Sequence, residues 1–352
     1  MAKGVFTPTE LVEIQTTLEA KWKEPQFAKE YTPRGETAKA IKENQTATFT
    51  ELENPDKQRE VAVKWADWCD DTATTTTNAD SCVHTGCDEP DPKTKTYQLN
   101  TFLEDCYTVT QEDFQTSVLN EQEVVANGLM AKMKNLYELF NTKILAVALA
   151  NVGNNPLMTN PATGTTYTEN ADGATEIPAN EFDMQHFYPY LAQVLTLLRS
   201  NNNFMIDGAN FFQAAILAKA NDKNADGKTD LQLFTEFYPY YNDLLGMTRA
   251  GLQSETFIFD KGSMALANRV KWPAKPTLYS TTNAGSFYRY SIPFTPLPGF
   301  SLDVQYEQTC TSGDIAFVWN LKLRAGIFVN PILCDAGNTG IWNFKKLPAG
   351  IA

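Results

Sequence analysis

The chain has 352 residues, 43% of them hydrophobic, and its 42 acids against 29 bases give a formal charge of −13. That length suits about two to three domains with real cores, and no apolar run approaches the roughly 18 residues of a membrane-spanning helix. The acid excess is local: residues 46–113 hold fifteen acids and five bases, residues 1–45 seven of each, and the rest twenty and seventeen. With no basic stripe to neutralise phosphates, this distribution argues against direct nucleic-acid binding as the main role.

The chain begins Met1-Ala-Lys-Gly-Val-Phe-Thr-Pro, without the apolar core of a signal peptide, so folding in a cytoplasm is expected. In residues 1–45, Thr7 or Thr9 caps a short helix running through residues 10–23, and Pro25 and Pro33 interrupt the stretch beyond it. This segment reads as an arm, with too few apolar residues to bury itself. Residues 46–109 change character. Residues 46–50 are strand-like, Asn54-Pro55-Asp56 is a turn, and Val61, Val63 and Trp65 alternate with polar residues as in a half-exposed strand. Residues 70–95 form a polar loop, and residues 97–109 return as strand. The whole is an extended two- or three-stranded excursion with a polar tip, marginal in water without a partner surface.

Four of the six cysteines, Cys69, Cys82, Cys87 and Cys106, fall in or beside this excursion. Cys82, His84 and Cys87 invite a zinc reading, but their spacing is not that of paired C-x2-C knuckles. Cys69 and Cys106 would lie opposite each other at the base of a long hairpin. A metal clip or a disulfide there stands beside the plainer reading of ordinary thiols.

The most informative pattern is at about residues 110–151. Val125, Leu129, Met133, Leu136, Phe140, Ile144 and Val147 are spaced four, four, three, four, four, three, which is one face of an α-helix. Thr110 with Asp113 makes an acidic capping box, and Asn151, Gly153 and Pro156 stop the pattern. One continuous helix of about 50–60 Å is expected. Beyond it, residues 153–178 are loop and turn, residues 190–198 helical, and residues 204–208 a short buried strand. Asn210 caps a helix carrying Phe211, Phe212, Ala215, Ile216 and Ala218, and residues 231–245 form another. Residues 256–259 are strand, 264–269 a short helix or turn, and 287–292, 302–307, 315–329 and 341–344 are strands. Phe-Tyr-Pro-Tyr at 187–190 and again at 237–240 does not extend into a repeat.

Catalytic chemistry is poorly supplied. His84 and His186 are the only histidines, and His186, beside Phe187 and Tyr188, reads as a packing residue. There is no nucleophile elbow, zinc-protease helix or dinucleotide-binding turn. Gly227-Lys228-Thr229 lacks the earlier glycine of a phosphate loop, since Asp222 stands there. The best ion motif is a calcium-like loop. Asp222, Asn224, Asp226 and Asp230 occupy positions one, three, five and nine, with Gly227 at the sharp turn, but Leu233 replaces the acid expected at position twelve. Calcium is therefore the one candidate cofactor, beside the plainer reading of an Asn/Asp/Gly-rich turn.

The order of parts resembles the major capsid protein of tailed double-stranded-DNA bacteriophages, the Hong Kong 97-like fold that encapsulins share. The resemblance covers the whole chain as a layout. It is carried by residues 107–114 (Tyr-Thr-Val-Thr-Gln-Glu-Asp-Phe) entering the helix, 203–208 (Asn-Phe-Met-Ile-Asp-Gly), 255–262 (Glu-Thr-Phe-Ile-Phe-Asp-Lys-Gly), 300–306 (Phe-Ser-Leu-Asp-Val-Gln-Tyr) and 341–344 (Ile-Trp-Asn-Phe). It implies an α+β fold: an N-terminal arm (1–45), an extended β E-loop (46–109), a peripheral (P) domain with the long spine helix (110–200), an axial (A) domain (201–299) and return strands of the P domain (300–352). It also implies a non-enzymatic structural subunit that self-assembles through pentamers and hexamers into an icosahedral shell around the genome, and then expands. The shell would be a virion capsid assembled in the host bacterial cytoplasm. Expected partners are sister copies, portal, scaffolding and auxiliary capsid proteins, and packaged DNA held without sequence specificity; no membrane is involved. Only an arm and the excursion precede the spine, so a separate scaffolding protein or scaffold-free assembly is expected. An encapsulin-type compartment and a calcium-dependent surface or carbohydrate-binding protein are the alternatives. Arm and excursion carry apolar residues (Val61, Val63, Trp65, Trp68, Tyr97, Leu99, Phe102) that their own segment cannot cover, and burial on a neighbour would recover about 25 cal/mol per Å2. Deleting residues 1–30 is then expected to weaken shells without unfolding the monomer.

Overall fold

The first ordered element shows how the chain is put together. Thr7 and Glu10 form a reciprocal capping box, and Pro8 supplies the first helical position, so α1 spans Pro8–Lys23. The structure is a computed structural model describing residues 6–24, 33, 35–54, 60–67, 91–155, 159–183, 186–198, 202–208, 210, 239–281, 285–311, 314–330 and 339–348. Leu11, Ile14 and Leu18 share one face of α1 and are buried against the spine helix of the same chain. Phe6, just ahead of it, is fully buried. Its ring meets Phe114, Tyr306, Phe317 and Trp319 at 5.4–6.0 Å between centroids. The arm's described residues Phe6, Leu11, Ile14 and Leu18 therefore lie inside their own protomer's core. That corrects the expectation that residues 1–30 are dispensable to the monomer.

The spine is two helices where one was expected. The Thr110–Asp113 box caps a short α4 (Gln111–Thr116), after α2 (Thr37–Asn44) and α3 (Thr50–Glu53). A second reciprocal box, Asn120 with Glu123, opens α5 (Glu121–Leu149), whose 29 residues make the spine, about 43 Å long. Each helix brings its own cap, so the break at residues 117–120 strands no N-terminal amides that a cap could satisfy. Val125, Leu129, Met133, Leu136, Phe140 and Ile144 are all buried, as their spacing predicts. At Gly128 the spine comes up against the Tyr107 side chain of the sheet. A Cβ there would sit 2.2 Å from the Tyr107 ring.

Strand β3 (Thr101–Thr110) and the strands after it form a large antiparallel sheet in the order β10 (Thr277–Thr281), β11 (Gly285–Pro293), β12 (Ser301–Thr311), β13 (Asp314–Val329), β3. Strand β9 (Met264–Asn268) pairs with the far end of β13. One face lies on the spine and α1: Tyr290, Val304, Tyr306, Phe317, Trp319, Leu321 and Leu323 join the spine's buried residues in one core. Residues 264–269 were expected as a short helix or turn. All five residues of β9 are buried, and their backbone groups find partners on β13 that a lone turn would lack. Residues 46–49 are not the expected strand but an extended lead into α3.

A second sheet runs β4 (Thr168–Glu169), β5 (Ala174–Ile177), β14 (Ile341–Lys346), β8 (Glu255–Asp260), β6 (Asn203–Asp207), β7 (Tyr240–Asn242). The β14–β5 and β6–β7 pairs are parallel and the rest antiparallel. Helix α6 (Phe187–Leu197) lays Phe187, Tyr190, Leu191 and Val194 over Trp342 and Phe344. Strands cross the expected boundary at residue 300: β14 pairs with β8, and β11 with β12. Both sheets are thus sewn together from both sides of that boundary. Helix α7 (Leu244–Ala250) comes after β7, so residues 239–245 are strand, turn and helix start instead of one helix.

Candidate assembly surfaces

A two-stranded ribbon stands apart from both sheets. Strand β1 (Glu60–Asp67) pairs antiparallel with β2 (Asp91–Gln98), from Glu60↔Gln98 to Asp67↔Asp91. Among the described residues neither pairs with any other strand. Its root is small. Tyr97, Phe49 and Phe328 meet with centroids 4.6–5.3 Å apart, backed by Leu52 and Ala267. Lys95 donates to the Val329 carbonyl at 2.8 Å and stands 5.4 Å over the Tyr97 ring. Burial lowers the Lys95 pKa and raises that of Tyr97. Asn100 acts as one rung of a strand ladder, accepting from Ile327 N at 3.0 Å and donating to Ile327 O at 2.8 Å. A groove of about 420 Å3 opens here, lined by Thr48, Phe49, Val61, Val63 and Tyr97 among others.

The apolar residues expected to need cover separate into two groups. Tyr97 is buried at the root, and Val61 and Leu99 pack partly against it. Val63 is 37% and Phe102 65% exposed. The side chain of Trp65 and all of Trp68 lie outside the described residues. Further exposed apolar side chains are Val118 and Leu119 in the break before the spine, Leu244 and Leu245 on α7, and Leu278 and Tyr279 on β10.

A buried polar node ties the arm to the second sheet's loops. Asp243 caps α7 by accepting from Gly246 N at 3.0 Å. Its other oxygen accepts from Thr37 N at 3.0 Å, the Thr37 hydroxyl at 2.5 Å and Asn141 Nδ2 at 3.0 Å. Asn141 in turn accepts from Ala38 N at 2.9 Å. One carboxylate thus joins α2, the spine and α7. The long-range partners of Asp243 carry no local signal in the sequence, which placed it inside a helix.

The expected calcium-like loop, Asp222, Asn224, Asp226 and Asp230, lies outside the described residues, as do Cys69, Cys82, His84 and Cys87. Cys106 is a free, exposed thiol on β3, which pairs with β13 (Cys106↔Asn320) and not with the ribbon. The expected pairing of Cys69 with Cys106 lies outside the described residues on its Cys69 side. Among the described residues no three His, Cys, Asp or Glu side chains gather as a metal site. His186 sits at the start of α6 with Nδ1 2.8 Å from Asp183.

No family model matches the chain, and no curated protein does. Solved structures do. A chain of Mycobacterium phage Adephagia shares 13% identity at a TM-score of 0.46, covering 91% of this chain and 92% of that one. A virus-like particle from Pyrococcus furiosus gives 10% identity, a TM-score of 0.43 and 96% and 98% coverage. The capsid of Myoviridae phage XM1 gives 13%, 0.38, 84% and 89%. The likeness is to phage and virus-like-particle chains. With TM-scores below 0.5, no residue's role is transferred from them. No helix among the described residues is long and apolar enough to cross a membrane.

Proposed function

We propose that this chain is a shell-forming structural subunit, the major capsid protein of a tailed double-stranded-DNA phage. The observation that carries the reading is the β1–β2 ribbon, which among the described residues continues into no sheet, is anchored on a handful of aromatic residues and leaves Val63 at its surface. Isolated two-stranded ribbons are marginal in water, so this one is completed by a surface its own protomer does not provide. A sister copy supplies that surface at a stoichiometry that repeats without limit around a shell. The remaining architecture suits shell building, because a rigid spine between two sheets holds the ribbon at a fixed place. In this reading the copies form pentamers and hexamers, portal, scaffolding and auxiliary capsid proteins join them, and the shell assembles in the host cytoplasm to enclose DNA without base-specific contacts. The acid-rich balance keeps such a lining from gripping the packed polyanion. No enzymatic step is assigned, and calcium in the Asp222 loop is a secondary proposal.

The test is negative-stain microscopy and sedimentation of the purified full-length chain over a range of salt and concentration. Closed shells or capsomer rings are the expected outcome. A single subunit under all of these conditions overturns the reading. Shells that enclose a co-purifying enzyme in place of nucleic acid would shift it to an encapsulin-type compartment.

A further inference from the structure

The large sheet ends in two strands that no described strand continues, β10 on one side and β3 on the other. Natural proteins blunt such edges with prolines, bulges or short strands. Neither prolines nor bulges interrupt these two strands: β3 keeps unbroken register from Thr101 to Thr110, and β10 from Thr277 to Thr281. Both are open to solvent. Residues 277–280 are exposed, as are Phe102, Glu104, Cys106 and Thr108. Each edge also carries large exposed apolar side chains, Leu278 (55%) and Tyr279 (37%) on one, Phe102 (65%) on the other.

The two edges differ in charge. Residues 269–289, containing β10, hold four bases and no acid, whereas residues 101–116, containing β3, hold four acids and no base. The cation nearest β10 is held in place. The Arg289 guanidinium lies 4.6 Å from the Phe287 ring centroid, 4.9 Å from Trp272 and 5.2 Å from Tyr279. Lys271 and Lys275 flank it, both exposed. On β3 itself Glu104 and Asp105 pair with Lys322 and Lys132 of the same copy, so Glu112 and Asp113 just beyond the strand carry most of the acidic excess. Opposed to its own copy, either edge meets like charge, and opposed to the other, it meets its complement.

We propose that β10 of one copy pairs with β3 of a second copy, so that the large sheet continues across the interface. The inference rests on the self-assembly reading and names one contact within it. Four antiparallel steps separate β10 from β3, so the two strands run in the same direction. A second copy that continues the sheet with its spine-covered face on the same side therefore pairs them in parallel. Such a contact is heterologous: every copy uses both edges, and the product is a ring or a run, not a closed two-fold dimer.

The head-to-tail geometry gives a specific test with the full chain. Phe102→Lys places a cation on the acidic edge and Leu278→Glu an anion on the basic edge, both at exposed positions. Each variant alone is expected to lose at least tenfold in assembled material by analytical ultracentrifugation, with an unchanged thermal transition. Mixed in equal amounts they are expected to recover association between unlike copies, because the Phe102→Lys copy's β10 edge and the Leu278→Glu copy's β3 edge remain intact. Should Phe102→Lys alter the thermal transition, Thr108→Lys on the same edge takes its place. Wild-type assembly by both single variants overturns the strand pairing and leaves the shell reading standing. So does a mixture that associates no better than either variant alone. A wild-type chain that never associates overturns both.

Discussion

The spine-packed half of the molecule and the ribbon solve the same problem in opposite ways. In the first, α1, the spine and the large sheet bury one another, and even Phe6, outside any helix, is enclosed by four aromatic rings. In the second, two eight-residue strands rest on Tyr97, Phe49, Phe328 and a few neighbours. The spine half buries a large core within one chain, and the ribbon has only its small root. The stability of a protomer and the stability of an assembly are therefore lodged in different residues, and mutations should separate them.

The sharpest way to break that contrast is to remove α1. Deleting residues 1–24 strips Phe6, Leu11, Ile14 and Leu18 from the core; at about 1.5–3 kcal/mol each, the loss is comparable with the whole stability of a typical domain. Urea denaturation of the deletion should show no cooperative transition. A normal transition would mean that the arm belongs with the ribbon after all. Next in size, Asp243→Ala leaves the Thr37 amide and hydroxyl, Asn141 Nδ2 and the Gly246 amide short of an acceptor. It should cost on the order of 3 kcal/mol, read as a lowered denaturation midpoint.

Tyr97→Ala should cost about 2–3 kcal/mol locally. Hydrogen exchange should quicken in residues 60–67 and 91–98 while the global transition stays put; a matching global loss would tie the ribbon to the core. The last effect is electrostatic. Burial raises the Asp260 pKa to about 6 from 3.8, so protonation favours the folded state. The stability this provides is full below about pH 4 and is lost as pH rises through 6. Asp260→Asn should match the wild type near pH 4 and exceed it increasingly up to pH 6 and beyond. Thermal melts across that range decide the matter.

What the sequence disclosed tracks the range of the forces involved. The spine's buried stripe and both ends of α1 were legible because helical periodicity and capping boxes are local. The break at residues 117–120 was missed because a stripe beginning at Val125 says nothing about the turn before it, although Asn120 and Glu123 carried a second cap in plain view. Residues 264–268 were misread because Met-Ala-Leu-Ala-Asn has no strand propensity of its own, and only β13 makes it a strand. Strand pairing across residue 300 is hidden for a like reason: β14 and β8 join residues more than eighty positions apart. The Asp243 node is wholly tertiary. Of the candidate surfaces, the ribbon's alternation was visible, whereas the opposite charges of β10 and β3 acquire meaning only once the sheet order is known.

Gly128 sets a gauge. Since a methyl group there would sit 2.2–2.6 Å from atoms of the Tyr107 ring, helix and ring nest at this point only because a side chain is absent. Alanine at that position would first push aside the outer end of that partly exposed ring before it could act on the gap between helix and sheet.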